Sequence, residues 1–382
     1  MASIKQYKTK DGETRYSVRV YVGRDPLTNQ KRYMHKRGFK QKKEATLAAS
    51  RLTLDADKGD LPAAKQMLFI DLYKEWDAGY INTVRESTYA RTTRIFTGHI
   101  LPVFANIRLS EITAARLQLA VNKWSKEVTS YRRWFNYLVK ALNFAVIQGY
   151  IPHNPARKVV MPKRSDTAGD KPENFWDRDE LATFFSYINP ETEPEKLALF
   201  RILAFGGLRR GECLALTWAD IDFTAGTIRV NKTLTQGMKG RQIIQAPKTR
   251  KGRRTIAMDP ETMAIIKKWR IKQMQKFVAV GINTNRPEQG LFVTIHNTQM
   301  YLNQPEKWLK AIERDHNIKH RITVHGFRHS HASALFAAGA DIKEVQNRLG
   351  HENVQTTLDI YTHVTENQKE QAAEKLSAYL GF

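Results

Sequence analysis

Cysteine is almost missing from this chain, since Cys213 is the only one in 382 residues. A single thiol can form neither an internal disulfide nor a cysteine-rich zinc site, so a zinc finger is excluded and a reducing compartment is indicated. Cys213 lies in the apolar stretch LRRGECLALTW. This setting favours a small buried hydrophobe over a reactive thiol.

Long apolar runs are missing as well. No stretch approaches the roughly 20 residues that a membrane-spanning helix needs, and the N-terminus MASIKQYKTKDGETRY has no apolar signal core. The sequence therefore predicts a cytoplasmic protein with no membrane partner.

Acidic residues are too few to balance the basic ones, because 38 Asp and Glu face 62 Lys and Arg, a formal net charge of +24. The chain is nevertheless 41% hydrophobic, with aromatic residues throughout, which indicates packed cores rather than a disordered basic tail. Exposed positive charge of this size favours a polyanionic partner, since each phosphate contact releases a counterion. Nucleic acid is the first candidate; an anionic membrane surface is the second, and the lack of an apolar segment weakens it.

The length predicts two or three domains, and the first covers residues 1–60. Apolar residues alternate over Tyr16–Val22, a turn follows around Pro26, a second strand is expected at Lys31–Lys36, and a helix at Lys43–Leu54. We expect a small basic three-stranded β-sheet with one covering helix. Such a sheet fits the DNA major groove; a solvated charged surface is the alternative.

A helical period replaces this pattern in the second predicted domain, residues 66–162. Between Phe69 and Tyr150 the apolar spacing predicts four helices, with Ser87 and Ser130 at N-cap positions. The polar stretch Pro162–Pro172 has no periodicity and is typical of a linker.

The third predicted domain, residues 174–382, mixes helices and strands. Asp177 and Glu180 form a capping pair before a helix that reaches Phe185, and Gly206 and Gly207 interrupt an apolar helical stretch. Strands are predicted at Thr227–Asn231, Arg241–Ala246 and Arg254–Met258, with helices after them. The fold class is therefore multidomain α+β: a three-stranded sheet plus helix, a helical domain, and a mainly α domain with a small antiparallel sheet.

Chemistry-bearing side chains gather in the third domain. They are Arg209 and Arg210 beside a glycine turn, Lys248 after a strand, His325 and Arg328 three residues apart, His351 after a glycine, and Tyr361. Each fragment alone has a structural explanation, because an Arg-Arg-Gly turn is usually surface, a lone Lys is usually solvated and a lone Tyr is usually core. Their combination and order carry more information.

The stretches GGLRRGECLALTWADID, PKT, HGFRH and LGHENVQTTLDIYTHV, in this order, resemble the motifs of the tyrosine recombinases. The layout is similar to integrases of temperate phages and conjugative transposons, and GYIPHNP resembles the end of their core-binding domain. The resemblance implies an arm-type DNA-binding domain at 1–60, a core-binding domain at 66–162 and a catalytic domain at 174–382.

The resemblance also implies a role for each matching residue. Arg209 and Arg328 would bind the scissile phosphate, Lys248 would protonate the leaving 5′ oxygen, and Tyr361 would be the nucleophile that forms a 3′ phosphotyrosine. His325 and His351 would bond the phosphate and assist proton transfer. Glu212 matches an acidic position for which we expect a structural role in holding the pocket, and Arg210 is expected to be a surface or phosphate contact.

The implied reaction integrates and excises a mobile element and needs no metal or other cofactor. The implied partners are double-stranded DNA with core and arm attachment sites, a homotetramer on synapsed DNA, and an excisionase and a DNA-bending protein as candidate accessory factors at the bacterial nucleoid. A metal site at His325, His329 and His331 is the competing chemistry, but no carboxylate has a suitable spacing; His329 and His331 are expected to pack or to support the site.

A non-catalytic DNA-binding protein and a type IB topoisomerase are the alternative functions. The apolar face of the C-terminal tail could pack on its own domain or on a neighbouring subunit.

Overall fold

The computed structural model describes residues 2–9, 11–24, 31–57, 67–162, 173–247, 249–355 and 357–358. The chain forms two compact units, Met1–Asp166 and Thr167–Phe382. Within these residues no helix is both long and apolar enough to span a bilayer.

The N-terminal part of the first unit is an antiparallel sheet with strand order β1 (Ala2–Lys8), β2 (Thr14–Arg24), β3 (Lys31–Phe39), followed by helix α1 (Lys42–Asp57). The predicted strands and helix are confirmed, and the predicted turn at Pro26 lies outside the described residues. The buried side of the sheet packs against α1 through Val18, Val20, Ala45, Ala49 and Leu52.

Helices fill the rest of the first unit, as the apolar period predicts. They are α2 (Phe69–Tyr80), α3 (Glu86–Ile95), the single turn α4 (Leu101–Phe104), α5 (Ala114–Glu127) and α6 (Tyr131–Ile147), with a π-helical turn at Phe96–Ile100. Their apolar stripes form one core in which Leu72, Leu117 and Leu138 are fully buried.

The two serine caps expected here differ from the structure. Helix α3 begins at Glu86 after an extended Arg85, so Ser87 lies inside the first turn and its assignment as N-cap is wrong. Glu86 instead places a negative charge at the positive end of the helix dipole. Ser130 does stand at the N-cap position of α6, but its side chain forms no capping hydrogen bond.

The second unit is mainly helical around two small antiparallel sheets. Its helices are α7 (Arg178–Ser186), α8 (Pro194–Gly206), α9 (Arg210–Leu214), α10 (Pro260–Val278), α11 (Gln304–Asp315), α12 (Gly326–Ala337) and α13 (Ile342–Leu349). One sheet has the order β4 (Ile221–Asp222), β5 (Thr227–Val230), β8 (Arg254–Ala257), and the other pairs β6 (Thr233–Gln236) with β7 (Gln242–Gln245).

The capping pair and the three strands predicted for this unit are confirmed, whereas strands β4 and β6 were not predicted. Asp177 and Glu180 form a complete capping box at the start of α7, and the three predicted strands correspond to β5, β7 and β8. Cys213 is 1% exposed within the core, where burial raises the pKa of its thiol. The multidomain α+β fold class is confirmed.

Candidate active site

A tight glycine turn after α8 builds one wall of the site. Gly207 has a φ of +62°, and a Cβ there would lie 2.5 Å from His331 Cδ2 and 2.8 Å from Leu349 Cδ2. Only glycine combines this backbone conformation with so close an approach. The turn ends α8 and brings Arg209 to the start of α9, in extended conformation and with its side chain 41% exposed.

Glu212 fixes the position of Arg209 through two hydrogen bonds. Its carboxylate accepts from the Arg209 backbone N–H at 3.0 Å and from Nη1 of the same residue at 2.7 Å. Oε2, which accepts from the Arg209 backbone, also accepts from Nη2 of Arg254 at 2.9 Å, and Oε1 accepts from Arg209 Nη1. Burial alone would raise the pKa of Glu212, but the charges and hydrogen bonds of Arg254 and Arg209 outweigh it and hold that pKa below its usual value. Glu212 therefore has the structural role expected from the sequence.

Arg328 lies in the first turn of α12 and is 2% exposed. Its Nη1 donates to the Gly207 carbonyl and its Nη2 to the Leu349 carbonyl, both at 2.7 Å. Burial, followed by the nearby charge of Arg209, lowers the pKa of Arg328 to about 9. Described residues accept from two of the five guanidinium donors, so the direction of the fork is fixed.

The two candidate histidines lie beside these arginines and are neutral at pH 7. His325 precedes α12 at an open position, where desolvation by the surrounding protein and the charges of His329, Arg328 and Arg209 lower its pKa to about 4. His351 is 7% exposed and its Nδ1 lies 2.9 Å from Thr357 Oγ1. Burial and the same arginines lower the pKa of His351 to about 3.

An open cavity of about 380 Å³ adjoins this cluster. Its lining includes Arg209, Arg210, Thr233, Thr323 and His325. The half-exposed Arg210 thus lies on the wall of the cavity, in agreement with the surface or contact position expected for it. Clustered guanidinium groups and neutral imidazoles at an open pocket are the arrangement that binds a phosphate and moves protons.

The structure brings together four of the six residues for which the family resemblance implies a catalytic role. Arg209 and His325 line the same cavity, and the carbonyls that hold Arg328 belong to Gly207 and Leu349, two residues before Arg209 and His351. These four residues form one electrostatic cluster, in which Arg209 also lowers the pKa of the other three. The remaining two, Lys248 and Tyr361, lie outside the described residues. Lys248 follows β7 by three positions in the sequence.

The described histidines do not form a metal site. His331 is 6% exposed, and its two ring nitrogens are occupied by the Ala204 carbonyl at 2.8 Å and by Arg348 Nε at 3.0 Å. His325 and His329 only meet edge to face, with ring centroids 4.9 Å apart. His331 and His329 therefore have the packing and supporting roles that the sequence suggested.

Two supporting arginines were missed in the sequence. Arg254 reaches Glu212, and Arg348 donates to His331 and to the carbonyls of Phe205 and Ala257. Both lie in polar stretches where an arginine ordinarily means a solvated surface. Only the three-dimensional approach of β8 and α13 to the glycine turn reveals them.

Two guanidinium forks and two neutral imidazoles beside a cavity that Arg209 and His325 line are typical of an enzyme that handles phosphodiesters. Comparison with known proteins narrows this class. Three family descriptions match in sequence order: "Arm DNA-binding domain" at residues 4–56, "Phage integrase, N-terminal SAM-like domain" at 68–125, and "Phage integrase family" at 174–368. A tyrosine recombinase XerC-like protein of Caldanaerobacter subterraneus is 30% identical over 96% of this chain and 97% of its own length. The chain belongs to the phage integrase family and is a tyrosine-type site-specific DNA recombinase.

Other relatives agree with this assignment. The ICEBs1 integrase of Bacillus subtilis is 27% identical over 98% of this chain and 99% of its own length. Among solved structures, the Tn1549 transposon integrase in complex with a circular intermediate DNA has a TM-score of 0.66 at 21% identity, covering 81% of this chain and 99% of that chain. The lambda integrase tetramer bound to a Holliday junction has a TM-score of 0.57 at 14% identity, covering 91% and 95%. These structures share the fold.

Proposed function

We propose that this chain binds double-stranded DNA at the attachment sites of a mobile element and exchanges strands there, using Arg209, Lys248, His325, Arg328, His351 and Tyr361. The observation that carries the proposal is the electrostatic cluster of Arg209, Arg328, His325 and His351, of which Arg209 and His325 line an open cavity. Integration is the activity that the names of the ICEBs1, Staphylococcus phage L54a and Tn1549 transposon integrases state, and excision would be the reverse exchange.

The arginines account for phosphate binding. Arg328 is fixed by two backbone carbonyls, and Arg209 is fixed by Glu212. Both forks present planar N–H donors to the nonbridging oxygens of the scissile phosphate, whose charge grows as phosphorus becomes five-coordinate. The two groups thus stabilise the transition state without moving during the reaction.

Proton transfer then falls to the histidines and Lys248. Tyr361 Oη forms a bond to phosphorus while the bond from phosphorus to the 5′ oxygen breaks, giving a 3′ phosphotyrosine and a 5′ hydroxyl. A phenol with a reference pKa of about 10 needs a proton acceptor. Neutral His325, with its pKa lowered to about 4, has a free ring lone pair for this proton, and His351 bonds the phosphate beside it. Lys248 supplies the proton that the leaving 5′ oxygen takes up.

The reverse reaction explains rejoining. The phosphotyrosine retains the phosphodiester bond energy, so a 5′ hydroxyl from a second strand can attack phosphorus and release Tyr361. Two rounds of this exchange pass through a Holliday junction, and four active sites suit a homotetramer on synapsed DNA. The lambda integrase tetramer on a Holliday junction supports this assembly.

Residues 1–60 serve as an arm-type DNA-binding domain, 66–162 as the core-binding domain and 174–382 as the catalytic domain. The outer face of the N-terminal sheet, formed by Lys5, Arg19, Tyr33, His35 and Arg37, is exposed and basic, as a sheet that enters the major groove requires. Because one chain would bind an arm site and a core site, an excisionase and a DNA-bending protein would help to bring these two DNA sites together. The reaction would take place at the nucleoid in the cytoplasm of the bacterial host.

An integration assay with two plasmids, one for each attachment site, tests this function. We expect recombinants with the wild-type protein, none with Tyr361→Phe, and unchanged yield with Tyr379→Phe, a matched loss of one hydroxyl in the same C-terminal segment. Recombination by Tyr361→Phe would refute the assignment of the nucleophile. Relaxation of supercoiled DNA without site preference would instead favour a type IB topoisomerase.

A further inference from the structure

Arg254 is a nearly buried arginine with no role in the reaction described above. It is the first residue of β8, and its side chain is 7% exposed. The guanidinium donates through Nη2 to Glu212 at 2.9 Å, through Nε to the Arg348 carbonyl at 2.8 Å, and through Nη1 to the Gly252 carbonyl at 3.3 Å. It therefore connects the carboxylate under Arg209 with the end of α13.

The turn at Gly350, directly after α13, leaves space for the Arg254 side chain. Gly350 has a φ of +69°, and a Cβ at this position would lie 2.6 Å from the Lys251 carbonyl oxygen and 3.2 Å from Arg254 Cδ. Any side chain would push against Arg254. The turn joins Leu349, whose carbonyl holds Arg328, to His351. Arg254 thus contacts the supports of several members of the electrostatic cluster.

Arg254 changes the net charge of the groups that surround Glu212. One buried carboxylate lies between two guanidinium groups, Arg209 at 2.7 Å and Arg254 at 2.9 Å. The group of three carries one net positive charge, and Arg209, as its exposed member, presents that charge to the cavity. Without Arg254 the carboxylate would cancel the charge of Arg209. A neutralised arginine attracts a phosphate weakly even if its position is unchanged.

We propose that Arg254 is a positioning residue for strand cleavage: by neutralising Glu212, it leaves the charge of Arg209 available for the scissile phosphate. This inference rests on the proposed function. Arg254 acts through Glu212 and Arg209, because its own side chain is only 7% exposed. The alternative is a purely mechanical brace, whose removal would loosen the site for any substrate.

Substrate charge separates the two accounts. The rate of covalent adduct formation is measured under single-turnover conditions at saturating DNA, on a nicked core-site duplex with either a normal or a methylphosphonate scissile linkage. The methylphosphonate is neutral, so it gains little from the charge of Arg209. For Arg254→Gln we expect a loss of about tenfold or more on the phosphate and less than about threefold on the methylphosphonate. An equal loss on both substrates would show a brace and overturn the proposal.

Further variants keep the test decisive if Arg254→Gln folds poorly. Arg254→Lys keeps the charge but cannot form all three hydrogen bonds, and we expect it to retain the wild-type ratio of the two rates. Adding Glu212→Gln to Arg254→Gln removes the uncompensated buried carboxylate and should restore that ratio in part. A collapsed ratio in both variants would contradict the proposal.

Controls separate this inference from the function on which it rests. Arg253→Gln removes the same charge at the exposed neighbouring position, and we expect it to change both rates by the same factor. If the wild-type protein forms no adduct on a site that it binds, the proposed function fails. If it forms the adduct and Arg254→Gln matches it on the phosphate, only the role of Arg254 fails.

Discussion

The outer face of the N-terminal sheet and the catalytic cluster both carry arginines, but they hold them differently. On the sheet Arg19 is exposed and lies over the ring of Tyr33 at 3.9 Å, opposite Ser3 and His35 on its neighbouring strands. In the cluster Arg328 is 2% exposed and tied to two carbonyls. The first arrangement lets a charge adapt to DNA, and the second fixes a charge at one point in space.

The difference follows from what each region must do. Binding a phosphate backbone needs exposed charge that releases counterions, and exact placement adds little. Stabilising a transition state needs donors that are already in place, which requires burial, carboxylate or carbonyl partners and glycines at close approaches. Substitutions in the two regions should therefore change different measurements, binding for the sheet and the rate of cleavage for the cluster.

The largest effect is expected for Arg328→Lys. Lysine keeps the charge but cannot hold two carbonyls and present a planar fork at once, so single-turnover cleavage should fall by about 10² to 10³. DNA affinity should change little, because the exposed charges dominate it. Quenched adduct assays and filter binding measure the two quantities. Arg314→Lys, on an exposed stretch of α11, is the control. Equal losses in affinity and rate would remove the distinction between the regions.

Gly207→Ala should cost about 2–3 kcal/mol in the free energy of unfolding, from left-handed strain and from overpacking against His331 and Leu349. Denaturant unfolding measures it. Gly226→Ala is the matched control, because Gly226 has nearly the same φ of +63° and its nearest neighbour, the Met258 carbonyl oxygen, would be 3.9 Å from a Cβ. We expect about 1 kcal/mol there from strain alone. Equal costs would mean that the close packing behind Arg328 is unimportant.

Acid should destabilise the catalytic unit through His331. Its contacts fix a neutral ring that donates from Nδ1 to Ala204 and accepts from Arg348, and burial together with Arg348 lowers its pKa to about 3. Below about pH 6.5 His331 becomes protonated in the unfolded chain but stays neutral in the folded protein. The free energy of unfolding therefore falls as the pH drops from about 6.5 toward 3.

This group should contribute up to about 1.4 kcal/mol per pH unit in that range. Denaturant unfolding at several pH values measures the slope, and His331→Asn, which keeps a donor for Ala204, should reduce it. The exposed His296→Asn is the control. An unchanged slope in His331→Asn would show that the acid sensitivity arises elsewhere.

The smallest effect is expected for Arg19→Gln on the outer face of the sheet. Loss of one phosphate contact should reduce the slope of log affinity against log salt by about one for arm-site DNA. The rate of cleavage at saturating core-site DNA should be unchanged. Arg51→Gln, exposed on the covering helix α1, is the control and should leave the slope as it is. A slower cleavage step in Arg19→Gln would contradict the separation.

The sequence alone predicts most of the architecture, because periodicity and capping act locally. The alternation in β2, the capping box of Asp177 and Glu180, and the break at Gly206 and Gly207 all correspond to the observed elements. Ser87 shows the limit, since a good capping residue is not used when the helix starts two positions earlier.

The site is predicted less completely, because its supports come from distant parts of the chain. The motifs identify Arg209, Arg328, His325 and His351, and the structure brings them into one cluster. No local pattern marks Arg254, which meets Glu212 across 42 positions. Its approach depends on how the assembled core brings β8 and α9 together, which no local pattern encodes.

The proposed strand exchange depends on the formation of a phosphotyrosine at Tyr361. The decisive measurement incubates the wild-type protein with a nicked core-site duplex in EDTA, denatures and digests the product, and locates the attached nucleotide by mass spectrometry. We expect a single modified peptide, with the 3′ phosphate on Tyr361 and a yield independent of EDTA. A nucleotide on any other residue, or no adduct on DNA that the protein demonstrably binds, would contradict it.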